Sequence, residues 1–187
     1  MSEPTPDLKS ARLLLRKFCE DDADALYPAL SDPEAMRYWS HPPRTSIEET
    51  RAYLAQSNES PGWRWWSITR EGDDRALGWV SVGAKRQGGV SEIGYILSPD
   101  EQGQGIAAEA VSTVIEYLFA IEGERRVFAD TDPDNDGSIA LLKRLGFTLE
   151  GRLRHEWETH IGVRDSLIWG LLREEWVSPV APARAPG

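Results

Sequence analysis

Residues 102–107 read Gln102-Gly103-Gln104-Gly105-Ile106-Ala107, and they separate an apolar, strand-like run from the longest helix-like segment of the chain. Glycine allows the backbone to approach a ligand closely. The first turn of a helix presents unpaired N–H groups and the positive end of the helix dipole. Together these features predict a cradle for a phosphate or pyrophosphate. A glycine-rich helix entry without a ligand remains the alternative at this point.

The elements on both sides of this turn follow from hydrophobic periodicity. The helix is predicted over 105–121, and one face carries its apolar residues Ala107, Val111, Val114, Ile115 and Leu118. Three strands, over 63–69, 76–82 and 90–97, precede the turn and are joined by short Gly- and Asp-rich connections. Such short connections predict an antiparallel meander.

The rest of the chain gives a mixed α/β pattern. The other predicted elements are strands over 8–18, 126–130, 147–153 and 166–172, and helices over 20–30, 45–58 and 137–145. Ser46 and Glu49 form a candidate capping box, and Gly146 is expected to end the last helix. We predict one domain over 8–177, with flexible Pro- and Ala-rich tails at 1–7 and 178–187.

Composition excludes several classes of function. The 187 residues include 21 Lys and Arg against 31 Asp and Glu, which gives a net charge of −10. This charge argues against nucleic-acid partners and suits a cationic substrate. The apolar run over 107–121 is interrupted by Glu109 and Glu116, so no membrane span is predicted. The single cysteine, Cys19, and the absence of a signal sequence at the start predict a cytoplasmic protein.

Two other phosphate motifs fit less well. Gly103, Gly105 and Ala108 match the dinucleotide pattern G-x-G-x-x-A. That pattern belongs directly after a parallel strand, whereas residues 98–102 intervene here and an antiparallel meander precedes them. A P-loop requires a Gly-Lys-Ser/Thr sequence, which does not follow the turn.

No metal site is predicted. Residues 132–137 resemble the start of a calcium loop, but Lys143 stands where the bidentate glutamate belongs. His155 and His160 are one residue too far apart for a zinc-binding H-E-x-x-H helix, and we expect them to be solvated or hydrogen-bonded. Residues 132–137 are then a strand-to-helix turn with an Asp or Asn cap.

Taken in order, the motifs resemble the GCN5-related N-acetyltransferase (GNAT) superfamily, and more narrowly its ribosomal-protein-alanine acetyltransferase-like (RimJ/RimL-type) branch. The resemblance runs from Leu8 to Leu171, almost the whole chain. The matching pieces are Glu92-Ile93-Gly94-Tyr95-Ile96-Leu97, Gln102-x-x-Gly105-x-Ala107, Glu109-Ala110, Asn135-x-x-Ser138, Leu145-Gly146-Phe147, Glu150-Gly151-x-Leu153-Arg154 and Asp165.

This resemblance implies a central, mostly antiparallel, twisted sheet that is splayed into a V and flanked by the four predicted helices. Acetyl-CoA, as co-substrate, would lie in the V, with its pyrophosphate on the amides of Gln102, Gly103, Gln104, Gly105, Ile106 and Ala107. Main-chain groups of Ile96, Leu97 and Ser98 would line the pantetheine and the acetyl carbonyl. Asn135 would bind the pantetheine arm, and Ser138 would lie near the sulfur.

The chemistry requires a neutral amine and a group that takes its proton. Glu92 is the first candidate for the catalytic base, because the family often has a carboxylate on this strand, and Glu156 and Glu158 are the second candidates. Where this chain has Leu142, many relatives carry a tyrosine that acts as the general acid. Here Ser138 or water would protonate the thiolate, or the thiolate would leave without an acid.

The resemblance and the residues together predict an acetyl-CoA-dependent N-acetyltransferase that acts on a primary amine, with a small molecule as the expected acceptor. Tyr38 and Trp39, between the first two helices, are expected to shape the acceptor site. The alternatives are N-terminal acetylation of a ribosomal or other protein, and a non-catalytic acyl-CoA-binding sensor. Assembly into a homodimer is a further expectation.

Overall fold

The computed structural model describes residues 5–84 and 88–179 and arranges them around one sheet. The strands are β1 (Leu8–Lys9), β2 (Leu13–Lys17), β3 (Trp63–Arg70), β4 (Asp73–Ala84), β5 (Val90–Leu97), β6 (Arg126–Thr131), β7 (Thr148–Thr159) and β8 (Gly162–Leu172). The helices are α1 (Ala23–Ser31), α2 (Ile47–Asn58), α3 (Ile106–Ala120) and α4 (Asp136–Arg144). The mixed α/β pattern predicted from the sequence is confirmed.

The sheet order is β1-β2-β3-β4-β5-β6-β8-β7, and every neighbouring pair is antiparallel except β5 and β6. This parallel pair is joined only where Val90–Glu92 face Arg126–Phe128. Beyond Glu92 the two strands no longer pair, which is the splayed V that the sequence predicted. The divergence frees one edge of β5 over its last residues.

Several boundaries differ from the prediction, because β4, β7 and β8 are each longer than expected and two other elements change their form. The strand expected over 8–18 is a hairpin, in which Leu8 lies opposite Leu15. The Ser10 hydroxyl accepts a hydrogen bond from the Leu13 amide (3.1 Å) and donates one to Glu109 (2.7 Å), which stabilises the turn. The helix expected from Glu20 begins instead with a 3-10 turn, and α1 proper starts at Ala23.

The predicted helix ends are largely confirmed. Gly146 follows α4 with a φ of 85°, and its amide donates to the Lys143 carbonyl (3.1 Å). Ser46 caps α2 by accepting from the Glu49 amide (3.1 Å). The Glu49 carboxylate, however, binds Thr45 rather than Ser46, so only half of the capping box forms.

Two apolar clusters cover the two faces of the sheet. The larger packs α3 and α4 against the central strands and includes Val111, Val114 and Val127, all fully buried. The smaller packs α1 and α2 around Trp79, which is also fully buried. These clusters fix the helices beside the open end of the V.

Within residues 5–84 and 88–179, no helix has the length and apolar character needed to cross a membrane. No group of His, Cys, Asp and Glu in the same residues is arranged to hold a metal ion. Of the predicted tails, residues 1–4 and 180–187 lie outside the described part of the chain. Pro6 of the first tail accepts a hydrogen bond from the Trp66 indole (2.8 Å).

Candidate active site

Two clefts open where β5 and β6 diverge. The glycine-turn cleft, of about 390 Å³, is lined by the end of β5, by the turn before α3 and by α4. The aromatic cleft, of about 370 Å³, is lined by residues of the α1–α2 connection, β3, β5 and β6. Their walls share the residues Ala35, Tyr38, Trp39, Tyr95, Asn135 and Ser138, which we call the junction. The shared wall makes the two clefts one continuous opening.

The turn before α3 has the geometry of an anion cradle. Gly103 and Gly105 both have left-handed φ values, 75° and 77°, which side chains other than glycine rarely adopt. Gly105 is the N-cap of α3, and no side chain caps the helix. A Cβ atom at Gly103 would meet no other atom within 4 Å. The first N–H groups of α3 are therefore not bound by a capping side chain, and the turn beside them has room for a ligand.

Arg12 holds the turn from the opposite side. Its guanidinium donates to the Glu109 carboxylate (2.7 Å) and to the Gln104 carbonyl (3.2 Å). Its Nη2 atom lies 3.6 Å from the position of a Cβ atom built on Gly105. Burial works against ionisation of Glu109, but the bonds from Ser10 and Arg12 outweigh it and lower the pKa of this carboxyl.

Most of the predicted cofactor residues line the glycine-turn cleft. They are Ile96, Leu97, Gln102, Gly103, Gly105, Ile106 and Ala107, with Asn135 and Ser138 at the junction. Ser98 and Gln104 are not in its wall. The Ser98 amide donates to the Leu77 carbonyl (2.8 Å), and the Gln104 side chain turns back to the Asp100 carbonyl (3.2 Å).

Asn135 and Ser138 begin α4. The Asn135 Oδ1 atom accepts from the Ser138 amide (3.1 Å), so the side chain is the helix cap that the sequence predicted. This bond uses the amide oxygen and leaves the Nδ2 group as the donor that Asn135 can offer a ligand. Leu142, in the position where relatives have tyrosine, is fully buried in the larger apolar cluster.

Tyr95 stands across the junction from α4. Its hydroxyl donates to the Ser138 carbonyl (3.5 Å), and the residue lines both clefts. Burial raises the pKa of the Tyr95 phenol to about 12. The group is therefore a neutral hydrogen-bond donor at all physiological pH values, placed where the two clefts meet.

The aromatic cleft holds the predicted acceptor residues. Tyr38 and Trp39 lie at the junction, and the Tyr38 hydroxyl donates to the Asp134 carbonyl (2.9 Å). Further aromatic walls come from Tyr53, Trp63 and Trp65. The Trp63 ring packs directly on Gly83, where a Cβ atom would lie 2.8 Å from the ring carbons. The sheet backbone thereby fixes the position of this wall.

The predicted bases are placed differently. Glu92 is half-buried, lines the aromatic cleft and is the last β5 residue paired with β6. Glu156 and Glu158 are exposed on β7 and lie in neither cleft wall. The structure thus brings Glu92, but not the second candidates, to the site.

The remaining sequence motifs have structural partners. The acids of the loop before α4 bind an arginine, since Arg164 donates to both Asp132 oxygens (2.7 and 2.8 Å) and also binds Asp134. His155 is exposed, as expected, and the Nδ1 atom of the exposed His160 lies 3.1 Å from the Trp39 carbonyl.

Four residues of the site are not predicted from the sequence. They are Asp130 and His41 in the aromatic cleft, Arg144 in the glycine-turn cleft, and Tyr95, whose motif was noted without a role for its side chain. Burial lowers the pKa of His41, and the nearby positive charge of Arg44 adds to the effect. Only the sequence Glu92-Ile93-Gly94-Tyr95, which contains Tyr95, carried a signal for any of them. The other three come from segments without a motif.

Fold and site together define an acetyltransferase. The family model of the acetyltransferase (GNAT) domain matches residues 12–148, most of the chain. The chain therefore belongs to the GNAT family, as the resemblance predicted. Members of this family use acetyl-CoA as the acetyl donor.

Two relatives are similar in sequence to this chain over nearly its full length. The chain is 33% identical over 174 residues to the N-acetyltransferase p20 of Bacillus licheniformis, covering 90% of this chain and 97% of that protein. It is 22% identical to the spermidine N(1)-acetyltransferase of Escherichia coli K12, covering 92% and 91%. Among solved structures, the RimL ribosomal L7/L12 alpha-N-protein acetyltransferase in complex with coenzyme A superimposes with a TM-score of 0.75 at 24% identity, covering 89% and 98%. The last comparison shows a shared fold.

Proposed function

We propose that this protein transfers the acetyl group of acetyl-CoA to a primary amine of a small molecule. In this proposal the glycine-turn cleft holds acetyl-CoA, and the aromatic cleft holds the amine. The junction carries the proposal, because six residues belong to both walls and a thioester in one cleft would meet an amine in the other. Residues 8–177 would form the catalytic domain, and the protein would be cytoplasmic.

The residues of the glycine-turn cleft fit the cofactor. The first amides of α3 suit the pyrophosphate, and Arg144 adds a positive charge to the cleft wall. The β5–β6 pairing ends at Glu92, so the last residues of β5 can offer main-chain groups to the pantetheine. Asn135 Nδ2 would donate to the same arm.

The reaction needs a group that takes the proton of the amine, a group that stabilises the charge on the thioester, and a group that protonates the leaving sulfur. Acetyl-CoA supplies an acetyl group activated as a thioester. The amine nitrogen bonds to the acetyl carbon as the carbon–sulfur bond breaks, and Glu92 takes the proton that the nitrogen loses. The Tyr95 hydroxyl turns from the Ser138 carbonyl to donate a hydrogen bond to the charge that develops on the thioester, and Ser138 or water returns a proton to the leaving sulfur.

A small acceptor is favoured by the cleft itself. Its volume of about 370 Å³ is that of a small-molecule site, and its walls are aromatic and partly enclosed by the α1–α2 connection. The spermidine acetyltransferase is a relative with a small amine substrate. Acetylation of a protein N-terminus is the second candidate, and the fold shared with RimL is the observation that favours it.

Two measurements on the same preparation test the proposal. Isothermal titration calorimetry with acetyl-CoA should give micromolar binding, and a thiol-release assay with a panel of small amines should give turnover. Mass spectrometry should then find the acetylated amine. Release only with peptides that have a free N-terminus would favour the second candidate. Binding without release for any acceptor would indicate a sensor, and no binding would contradict the proposal.

A further inference from the structure

The side chains of the aromatic cleft carry charge of one sign. Its wall contains the carboxylates of Glu92, Asp130 and Asp132. Among the lining residues that the structure describes, none is Lys or Arg. The glycine-turn cleft differs, because Arg144 lies in its wall. The aromatic cleft therefore suits a cation.

The two aspartates of this wall are not equivalent. Asp132 binds the Arg164 guanidinium through both oxygens, at 2.7 and 2.8 Å, so its charge is compensated. Asp130 accepts from neutral donors, the Trp157 indole (3.0 Å) and the Ser166 hydroxyl. These bonds orient the Asp130 carboxylate without neutralising its charge.

The rest of the wall can also stabilise a cation. Trp63 and Trp65 lie side by side with ring centroids 6.0 Å apart, and Tyr53 lines the same cleft. The faces of such rings attract ammonium and guanidinium groups. A cleft that contains both an aromatic wall and an uncompensated carboxylate suits a bound organic cation.

The reacting nitrogen is not that cation. An amine attacks a thioester only after it has lost its proton, and the nitrogen of the amide product is uncharged as well, so this nitrogen cannot keep an ionic contact with a carboxylate through the whole reaction. A carboxylate that binds only the starting ammonium would favour the ground state over the transition state. Asp130 can stabilise the ground state and the transition state equally only if the substrate has a second cationic group that keeps its charge.

We propose that the acceptor carries a second ammonium or guanidinium group, which stays charged throughout the reaction. The Asp130 carboxylate and the Trp63–Trp65 wall bind this group while the reacting amine lies at the junction. This inference rests on the proposed function and narrows its substrate class to diamines, polyamines and aminoalkyl guanidines. A monoamine of the same length would lack the anchoring contact.

The thiol-release assay tests the inference with linear diamines of increasing length and with the monoamine that matches each one. The best diamine should exceed its monoamine in kcat/KM by about tenfold or more. Asp130→Asn keeps the shape of the side chain and one acceptor oxygen, for either Ser166 or Trp157, and removes the charge. It should remove the preference by lowering kcat/KM for the diamines, with the affinity for acetyl-CoA unchanged because the cofactor lies in the other cleft.

Asp24→Asn is the matched control. It removes one carboxylate from α1, where Asp24 pairs with Arg51 (3.2 Å) outside both clefts. The control should retain the preference for diamines. Equal use of monoamines and diamines by the wild type, or an unchanged preference in Asp130→Asn, would overturn the inference and leave the proposed function in place. The absence of thiol release with every amine tested would overturn both.

Discussion

The two clefts that meet at Tyr95 are built in different ways. The glycine-turn cleft is lined by residues 95–97, by the turn and first helical residues over 102–108, where glycines expose the main chain, by α4 and by the α1–α2 connection. The aromatic cleft is formed by many separate segments, among them the α1–α2 connection, α2, β3, β5 and β6. A main-chain site recognises the same ligand whatever the surrounding side chains are. A site made of side chains can change its ligand without disturbing the fold.

The two clefts also differ in the charge that they present to a ligand. Backbone N–H groups and Arg144 face the cleft that suits the anionic pyrophosphate. Carboxylates and aromatic rings face the cleft that suits a cation. The comparison predicts that substitutions on one side change the binding of one substrate only.

The largest effect is expected from Gly105→Glu. The new side chain would strain a φ of 77° and add a negative charge at the N-cap of α3, beside the amides that should bind the pyrophosphate. We expect the affinity for acetyl-CoA, measured by calorimetry, to fall by more than about 100-fold.

Gly123→Glu is the control for this variant. Gly123 has a φ of 70° and lies beyond the other end of α3, and a Cβ atom there would be 4.0 Å from the guanidinium of Arg173. The same strain and charge are thus introduced away from the cleft, and binding should be retained. Equal loss in both variants would show that strain, rather than the cradle, controls affinity.

Tyr95→Phe tests the junction. Loss of the hydroxyl should lower kcat by about 30-fold, because one hydrogen bond to a developing charge is removed. The affinity for acetyl-CoA should stay within about twofold of the wild-type value. Tyr27→Phe removes a hydroxyl that donates to the Thr45 carbonyl (3.2 Å) outside both clefts, and it should have the wild-type kcat. A normal kcat in Tyr95→Phe would remove Tyr95 from the reaction.

A smaller effect is expected from Trp63→Leu, which alters the aromatic cleft alone. The KM for the amine should rise about fivefold through loss of the ring face, with acetyl-CoA binding unchanged. Gly83→Ala should act in the same direction, because its methyl group displaces the Trp63 ring. An increased Kd for acetyl-CoA in either variant would contradict the separation of the two clefts.

The smallest effect is a pH dependence of stability that originates in His41. Burial, together with the positive charge of Arg44, holds the pKa of His41 below 6.5 in the folded protein. The unfolded chain then binds the proton more readily, so this contribution to stability is present above pH 6.5 and is lost as the pH falls through the folded pKa. The slope from one proton is at most about 1.4 kcal/mol per pH unit.

Urea unfolding at a series of pH values between 7.5 and 5 measures this slope. His41→Gln should be less pH-dependent than the wild type over this range. The same substitution at the exposed His155 should leave the slope unchanged. An identical pH profile for the wild type and His41→Gln would show that His41 is not held neutral by the cleft.

The sequence predicted one cleft far better than the other, for a physical reason. The glycine turn, α3 and the cap at Asn135 are local features, set by residues adjacent in the chain. Asp130 and His41 enter the site only because β6 and the α1–α2 connection converge on it. No local pattern distinguishes them from other polar residues.

The other errors of the prediction have long-range causes as well. Ser98 was expected in its wall, but its amide continues the pairing with β4 at Leu77. The hairpin in place of a single first strand depends on the Ser10–Glu109 hydrogen bond, which joins residues far apart in the chain. Long-range contacts of this kind are invisible to periodicity.

The claim that the two clefts form one active site is tested most directly by a bisubstrate conjugate, in which the sulfur of coenzyme A is joined through an acetyl linker to one nitrogen of a linear diamine. Calorimetry should give a Kd for the conjugate at least about 100-fold below that of coenzyme A, because one molecule occupies both clefts. In Asp130→Asn most of this gain should be lost, whereas the Kd of coenzyme A should not change. A conjugate that binds no more tightly than coenzyme A to the wild type would contradict the account.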